Sequence, residues 1–262
     1  MKTFTSYVNL HMTTTKRFFA FGCSFTKYAW PTWADLIASL YPTYFNYGQP
    51  GAGNMYIFNA IMEADQRHRF NKDDLVIVQW TGPSREDRYL GKNWITPGSI
   101  VNHYPEDYIL NYFDFRGFLM RDLAAIKATK CFLENAGCEY RFISMVPLNS
   151  NNEYQHVSND NVSDVCKHYL DIIKSIKTSY IKVLGDYSQI RPRTLHGINI
   201  TDNHPLPSEH YKYLQTVLPE FSVDSQLADQ CDKILTQVWD THSRGWDYDW
   251  PEVRKTQHIE RL

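Results

Sequence analysis

The stretch that decides the fold is Arg17-Phe18-Phe19-Ala20-Phe21-Gly22-Cys23-Ser24-Phe25-Thr26. An apolar run of this length predicts a buried strand, and the glycine that ends it predicts a turn. Residues 31–40 then carry apolar side chains at helical spacing, so Ser24 is predicted between a strand and a helix. Because backbone N–H groups at a helix start bind anions, this junction suits a nucleophile beside an anion-binding site. Capping the helix is the ordinary alternative role for such a serine.

A carboxylate and an imidazole stand close together near the other end of the chain. The segment is Thr201-Asp202-Asn203-His204-Pro205-Leu206-Pro207-Ser208-Glu209-His210. Pro205 disfavours helical angles at His204, which predicts an extended loop ahead of a helix that runs towards Leu218. In an extended chain Asp202 and His204 project to the same side. A carboxylate on one ring nitrogen leaves the other free to take a proton from a serine, whereas an unspecialised surface turn is the alternative.

Together the two ends resemble the SGNH, or GDSL-like, hydrolase family. That family carries its serine in a Gly-Asp-Ser block near the N-terminus and its histidine in an Asp-x-x-His-Pro block near the C-terminus. Residues 22–26 match the first block except at Cys23, where Asp is usual. The segment that looks like the family's glycine block is Asn46-Tyr47-Gly48-Gln49-Pro50-Gly51-Ala52-Gly53-Asn54. The resemblance runs from Arg17 to about Leu218, and Gly53 is expected to open the next helix.

The resemblance implies that Ser24, His204 and Asp202 form a catalytic triad, and that the backbone N–H groups of Ser24 and Gly51 bind the oxyanion. Asp202 lies two residues before His204, whereas the commoner family spacing of three would fall on Thr201. An aspartate two residues away still lies on the same face of an extended segment, so Asp202 is assigned as the orienting acid. Otherwise Ser24 and His204 form a dyad, with a backbone carbonyl or a distant acid holding the ring.

The loop after the third predicted strand departs from the family pattern. The family has Gly-x-Asn-Asp there, and its Asn side chain completes the oxyanion hole; this chain has Thr81-Gly82-Pro83-Ser84-Arg85. Thr81, Ser84 or Arg85 would therefore have to supply the third donor. Arg85 is alternatively suited to hold an acidic substrate. Asn54 and Trp80 are further predicted substrate contacts.

Alternating patterns along the chain predict an α/β fold. Strands are predicted at residues 17–22, 44–47, 75–80, 140–145 and 180–184, and helices at residues 54–70, 116–136, 162–178 and 208–218. This order predicts a three-layer α/β/α fold with a parallel sheet of about five strands, and the resemblance implies the flavodoxin-like arrangement of SGNH hydrolases. Residues 1–262 are expected to form one domain. Its core spans about residues 16–220, and residues 221–262 form a helical, Trp-rich extension that packs back on it or binds a partner.

Composition narrows the class of protein further. The net charge is −2 without a basic run, which excludes the electrostatic footprint of a nucleic-acid binder. Residues before Lys16 lack an apolar stretch long enough for a signal peptide or membrane span, so we expect a cytoplasmic protein without a membrane partner. The cysteines are scattered, and the histidines around His204 lack metal-ligand spacing, so no cofactor and no metal are expected. Oligomeric state stays open.

These features favour a serine esterase that removes acyl groups, most plausibly acetyl, from an O-acylated carbohydrate through an acyl-enzyme. Aromatic residues in the segment 83–114, with residues 147–160, are candidate substrate walls, because aromatic faces pack on sugar rings. An O-acyltransferase of the same type is one alternative. A non-catalytic binding or assembly protein that kept the fold is another. A nucleophilic Cys23 is disfavoured, because its side chain would point away from the reaction centre of Ser24.

Overall fold

The computed structural model describes residues 17–148, 162–185, 191–251, 253–254 and 257–258. Its elements, in chain order, are β1 (Arg17–Phe21), α1 (Trp33–Ala38), β2 (Thr43–Asn46), α2 (Asn54–His68), β3 (Asp74–Trp80), β4 (Arg88–Leu90), β5 (Asn93–Ile95), α3 (Ile100–His103), α4 (Glu106–Tyr112), α5 (Phe115–Ala136), β6 (Glu139–Ser144), α6 (Ser163–Lys167), α7 (Leu170–Ser175), α8 (Tyr180–Leu184), β7 (Arg191–Leu195), β8 (Ile198–Asp202), α9 (Pro207–Val217), α10 (Ser225–Val238), a 3-10 turn (Ser243–Gly245) and β9 (Gln257–His258).

The central sheet is parallel, with the strand order β6-β3-β1-β2-β9. The predicted α/β class with a parallel sheet is therefore confirmed. The strand predicted at residues 180–184 is wrong, because this segment forms α8. Short apolar runs do not distinguish a buried strand from a helical turn. The sheet instead gains the two-residue edge strand β9, and the helix predicted over residues 162–178 is divided into α6 and α7.

Consecutive side chains of β1 point to opposite faces of the sheet, as the strand repeat requires. Phe18 stacks on Tyr44 at 5.2 Å and lies 6.4 Å from the Trp33 ring of α1. Phe19 stacks on Phe45 at 4.8 Å and lies 5.3 Å from the His68 ring of α2. Helix α1 packs with α9, and α2 packs with α5. Both faces of the sheet are thus covered by helices, which is compatible with a three-layer α/β/α fold.

The order of the strands places a topological switch point between β1 and β3, and a ligand-binding crevice is expected there. From β1 the chain moves to β2 on one side, and from β2 it crosses to β3 on the other side of β1. Ligands of parallel α/β sheets bind in such a crevice, outside the carboxyl ends of the strands. Ser24 follows β1 and residues 81–87 follow β3, so the two predicted site segments meet at this edge.

The C-terminal segment packs back on the domain. Helix α10 and the residues after it form a second apolar cluster with the segment that follows Ser24, and Trp250 is fully buried in that cluster. The Trp250 indole N–H donates to the Ala29 carbonyl at 2.7 Å. Arg254 pairs with the buried Asp35 carboxylate at 3.4 Å. Among the residues that the structure describes, the helices are all too short or too polar to cross a lipid bilayer.

Candidate active site

Ser24 lies in a single tight turn that directly follows β1. The N–H groups of Thr26 and Lys27 both donate to the Cys23 carbonyl, at 2.9 and 3.1 Å. Gly22 makes the turn possible, because a Cβ there would lie 2.0 Å from the Thr26 hydroxyl. In the part of the chain that the structure describes, neither the hydroxyl nor the N–H of Ser24 has a hydrogen-bond partner. Ser24 is buried, with 8% of its surface exposed.

The helix start expected to support Ser24 lies elsewhere. Helix α1 begins only at Trp33, and Thr32 with Asp35 forms a capping box that uses its first free N–H groups. The Thr32 hydroxyl also donates to the Thr26 carbonyl at 2.7 Å, which ties this cap to the Ser24 turn. The prediction of anion-binding N–H groups from this helix is therefore wrong. Donors for an anion near Ser24 must come from the turn itself or from neighbouring loops.

Asp202 and His204 form the predicted acid–imidazole pair. Asp202 ends β8, and its Oδ1 lies 2.7 Å from His204 Nδ1 and accepts the His204 backbone N–H at 2.7 Å. Burial alone would raise the pKa of Asp202, but the hydrogen bonds and the positive charge of His204 outweigh it and hold this pKa below its usual value. Asp202 therefore stays ionised at neutral pH and holds His204 through Nδ1, which leaves Nε2 available for proton transfer.

The loop that carries His204 is fixed by a set of polar contacts. Arg193 on β7 donates to the backbone carbonyls of Asp202 and His204 at 3.0 and 2.7 Å, and it pairs with Glu209 at 2.7 Å. Glu209 in turn accepts the Leu206 N–H. The Trp30 indole N–H donates to the Pro205 carbonyl at 2.8 Å. Since these partners come from β7, α9 and the segment after Ser24, the position of the imidazole is set by three separate parts of the chain.

The His204 ring lies against the turn that carries Ser24. Its centroid is 5.7 Å from the Phe25 ring, which is the next residue after the serine, and 3.7 Å from the Tyr28 ring. Sequence positions that lie far apart are thus brought to one edge of the sheet. No hydrogen bond joins the Ser24 hydroxyl to the imidazole among the described residues.

Among the described residues, the N–H of Gly51 has no hydrogen-bond partner. Gly51 has a φ of +77°, and a Cβ there would lie 2.0 Å from the Thr96 carbonyl oxygen, so only glycine fits. Thr96 also donates its hydroxyl to the Pro50 carbonyl at 2.8 Å. Gly53 opens α2 as expected, but Asp87 accepts the N–H groups of Gly53 and Tyr56, both at 2.8 Å. Asp87 therefore occupies two of the N–H groups at the start of α2, whereas the Gly51 N–H has no partner among the described residues.

The three candidates for the third oxyanion donor differ in their burial and in their hydrogen-bond partners. The Thr81 hydroxyl is fully buried and donates to Asn54 Oδ1 at 3.3 Å, and the Ser84 hydroxyl lies 3.2 Å from that of Ser99. Both hydroxyls are engaged in the protein interior, which does not fit the predicted role. Arg85 donates to the Ala52 carbonyl at 2.8 Å and lies 3.6 Å from Met145 Sδ. Its guanidinium therefore lies next to the Gly51 loop.

Met145 links Arg85 to the serine turn. The Met145 sulfur is 4.0 Å from the Cys23 thiol, and Cys23 immediately precedes Ser24. A guanidinium that touches both Ala52 and Met145 thus lies between the Gly51 loop and the Ser24 turn. Arg85 is half-buried and keeps further N–H groups for a ligand. Of the three candidates, Arg85 alone combines a charged donor with access to the edge where Ser24 lies.

The prediction that Asn54 and Trp80 contact the substrate is wrong, because both side chains are fully buried. Asn54 is fully buried; it donates to the Thr81 carbonyl and to Asp122, and it accepts the Thr81 N–H at 2.8 Å. Its amide thus joins α2 to the loop after β3 through hydrogen bonds. Trp80 is fully buried at the end of β3 and packs edge-on against Phe142. Sequence position placed both next to the site, but their side chains point into the core.

Asp122 completes the buried network behind the site, and its titration gives a stability prediction. It accepts from Asn54 at 2.7 Å and from Arg121 at 2.8 Å, and burial raises its pKa from 3.8 to about 7. The folded chain thus binds this proton up to about pH 7, whereas the unfolded chain releases it above 3.8. The contribution of Asp122 to the free energy of unfolding is therefore present at low pH, and it is lost as the pH rises from 3.8 to about 7.

We expect Asp122→Asn to become more stable relative to the wild type as the pH rises from about 4 to about 7. The difference in unfolding free energy between the two proteins should change by at most about 1.4 kcal/mol per pH unit. Urea unfolding of both proteins at about pH 5 and about pH 8 measures this difference. A difference that does not vary with pH would contradict the assigned titration of Asp122.

Two residues of the site were missed in the sequence. Tyr28 donates its hydroxyl to Asp202 Oδ2 at 2.9 Å and stacks on His204, yet its sequence signal is only its place shortly after Ser24. Asp87 caps α2 from the loop after β3, and its place two residues after Arg85 was the only indication of this role in the sequence. In the described part of the chain, no cluster of three or more potential metal ligands is found. Scans of protein-family models and of curated proteins give no match to this chain.

Proposed function

We propose that this chain is a serine esterase of the SGNH type, with Ser24 as the nucleophile, His204 as the base and Asp202 as the orienting acid. The observation that carries the proposal is the Asp202–His204 pair, joined at 2.7 Å, whose ring packs against the residue after Ser24. Nucleophile, base and acid are found in this arrangement on several unrelated folds. The crevice at the carboxyl ends of β1 and β3 is also where parallel α/β proteins bind ligands.

The chemistry follows from the positions of the protons. His204 keeps its Nδ1 proton in a hydrogen bond to Asp202 and takes the Ser24 hydroxyl proton at Nε2 while the serine oxygen attacks the acyl carbon. The tetrahedral intermediate collapses to an acyl-enzyme when His204 returns the proton to the leaving alcohol. Water then attacks the acyl-enzyme and gives its proton to His204. The carboxylic acid leaves, and Ser24 regains its proton.

The unoccupied hydrogen-bonding groups support an oxyanion site at the same place. The N–H groups of Ser24 and Gly51 have no partner among the described residues, and the guanidinium of Arg85 lies next to the Gly51 loop. Acyl transfer requires donors close to the developing negative charge, and these three groups are the candidates. The open Ser24 hydroxyl is compatible with this mechanism, because catalytic hydrogen bonds often shorten only when the substrate binds.

The surface around the crevice favours a carbohydrate ester. The segment that packs on Gly51 continues into an aromatic surface, where Tyr104, Tyr108 and Tyr112 follow one another at 4.8 and 5.0 Å. Arg88 lies over the first two rings at 5.3 and 5.8 Å. Tyr112 is exposed, whereas Tyr104 and Tyr108 are half-buried, and such aromatic surface beside polar groups suits the apolar faces and hydroxyls of sugars. We therefore propose an O-acetylated glycan as the substrate class.

A fluorophosphonate probe tests the proposal directly. The probe reacts with an activated serine, so we expect one adduct, which peptide mass spectrometry should locate on Ser24. Absence of labelling, together with binding of an unmodified glycan, would favour a non-catalytic binding protein. Product analysis with and without a sugar acceptor separates hydrolysis from acyl transfer, because only transfer leaves the acyl group on a new hydroxyl.

A further inference from the structure

Tyr28 contacts both members of the acid–imidazole pair at once. Its hydroxyl donates to Asp202 Oδ2 at 2.9 Å, while Oδ1 of the same carboxylate lies against His204. Its ring stacks on the imidazole with a centroid distance of 3.7 Å and an angle of 19° between the planes. Burial and the neighbouring Asp202 charge raise the pKa of Tyr28 far above its usual value, so its hydroxyl stays protonated and remains a donor.

We infer that Tyr28 is a positioning residue that fixes the Asp202–His204 pair, and that the Trp-rich C-terminal segment holds Tyr28 in place. The inference rests on the proposed esterase function, in which His204 is the base. The Tyr28 hydroxyl fixes the plane of the carboxylate, so Oδ1 faces His204 Nδ1. The Tyr28 ring restricts rotation of the imidazole, and its negative face favours the imidazolium that forms during catalysis.

The C-terminal segment reaches Tyr28 from three directions. The Trp246 ring meets the Tyr28 ring edge-on at 5.1 Å. Arg254 donates to the Tyr28 backbone carbonyl at 3.2 Å, and Trp250 donates to the next carbonyl along the chain, that of Ala29. These contacts hold both the ring and the backbone of Tyr28. They give the tryptophans of this segment a role in the site in addition to their burial.

Two substitutions separate the hydroxyl of Tyr28 from its ring. Tyr28→Phe keeps the stack on His204 and removes the hydrogen bond to Asp202, so kcat should fall about 2-fold to 10-fold with KM unchanged. The NMR signals of the His204 ring protons should also shift, because the carboxylate that holds the ring loses one of its hydrogen bonds. Tyr28→Leu also removes the ring, so kcat should fall further, by about 10-fold to 100-fold, and the His204 signals should shift more, because the stacked aromatic ring no longer shields them.

The His204 ring is followed by NMR of its carbon-bound protons at one fixed pH, which does not need turnover. Tyr213→Phe is the matched control, because its hydroxyl donates to the Thr178 carbonyl at 2.7 Å. This control should leave the His204 signals and kcat unchanged. Trp246→Ala should shift both in the direction of Tyr28→Leu but less, and Trp246 is 53% exposed, so the fold should tolerate the change.

Unchanged His204 NMR signals and unchanged kcat in Tyr28→Phe, with the fold intact, would overturn the inference even if Tyr28→Leu failed to fold. A change in KM alone would also overturn it, because a positioning residue acts on the reacting groups and not on ground-state binding. Failure of the proposed function is distinguishable from these results. A wild-type protein that neither reacts with the fluorophosphonate nor turns over esters would contradict the esterase proposal, whereas the His204 signals would still report whether Tyr28 holds the pair.

Discussion

Ser24→Ala is expected to lower turnover of p-nitrophenyl acetate by about five to six orders of magnitude, to a residual rate that binding and oxyanion donors support alone. The loss follows because no covalent acyl-enzyme can form without the serine oxygen. The Ser24 hydroxyl has no hydrogen-bond partner among the described residues, so its removal leaves no buried group unpaired. We therefore expect the unfolding free energy to change by about 0.5 kcal/mol or less.

Cys23→Ala is the matched control, because it changes the neighbouring residue in the same turn. The Cys23 thiol is fully buried and faces Met145 at 4.0 Å, so it is directed into the core and not towards the crevice. Turnover in this variant should stay within a few-fold of the wild type, with a small loss of stability from the missing sulfur. Loss of turnover in Cys23→Ala but not in Ser24→Ala would reverse the assignment of the nucleophile.

Undiminished turnover in Ser24→Ala would remove the mechanism altogether. A measurement of the initial release of p-nitrophenol makes this outcome decisive, because an acyl-enzyme produces a burst of p-nitrophenol before steady turnover. Near-identical circular dichroism spectra and unfolding transitions of the two proteins would show that only the chemistry was changed. His204→Ala should behave like Ser24→Ala in the same assay, because neither group works without the other.

The strongly periodic parts of the fold could be predicted from the sequence. The strands at β1, β2, β3 and β6, and the helices α2, α5 and α9, lie within a few residues of their predicted bounds, because each combines a long apolar pattern with a clear end. Residues 180–184 were misread because five mostly apolar residues satisfy a strand as well as a helical turn. The edge strand β9 carries no such pattern, so only its pairing with β2 defines it.

Side-chain direction limited the prediction of the site. Asp202 and His204 were expected side by side on an extended segment; they are in contact, but through a bend at residues 203 and 204 in which Asp202 accepts the His204 backbone N–H. The directions of Asn54, Trp80, Thr81 and Ser84 depend on tertiary contacts that no local pattern records. Each of these side chains satisfies a buried partner or packs in the core. The stack of Tyr28 on His204 likewise joins distant parts of the chain.

Arg85→Ala is expected to lower kcat on p-nitrophenyl acetate by about 10²–10³-fold, the usual effect of losing one oxyanion donor. KM should change little, because the donor acts on the charge that develops in the transition state and not on the neutral ester. Arg85→Lys should recover part of the loss through its charge. It should not recover all of it, since a lysine cannot contact the Ala52 carbonyl and the oxyanion with one planar group.

Ser84→Ala is the control within the same loop. The Ser84 hydroxyl lies 3.2 Å from the Ser99 hydroxyl and is buried, so its removal should change kcat by no more than a few-fold. A large loss in Ser84→Ala and none in Arg85→Ala would show that the loop rearranges on binding and that the hydroxyl, not the guanidinium, serves as the donor.

The same variant separates the two roles open to Arg85. An arginine that binds an acidic substrate would raise KM for an acidic ester when removed and leave the neutral ester unaffected, whereas an oxyanion donor lowers kcat for both. Since the guanidinium contacts Ala52, next to Gly51, its charge lies beside the N–H that would receive the oxyanion. That proximity is the reason to expect the loss in kcat. A pure KM effect would place Arg85 on the substrate and leave Ser24 and Gly51 as the oxyanion donors.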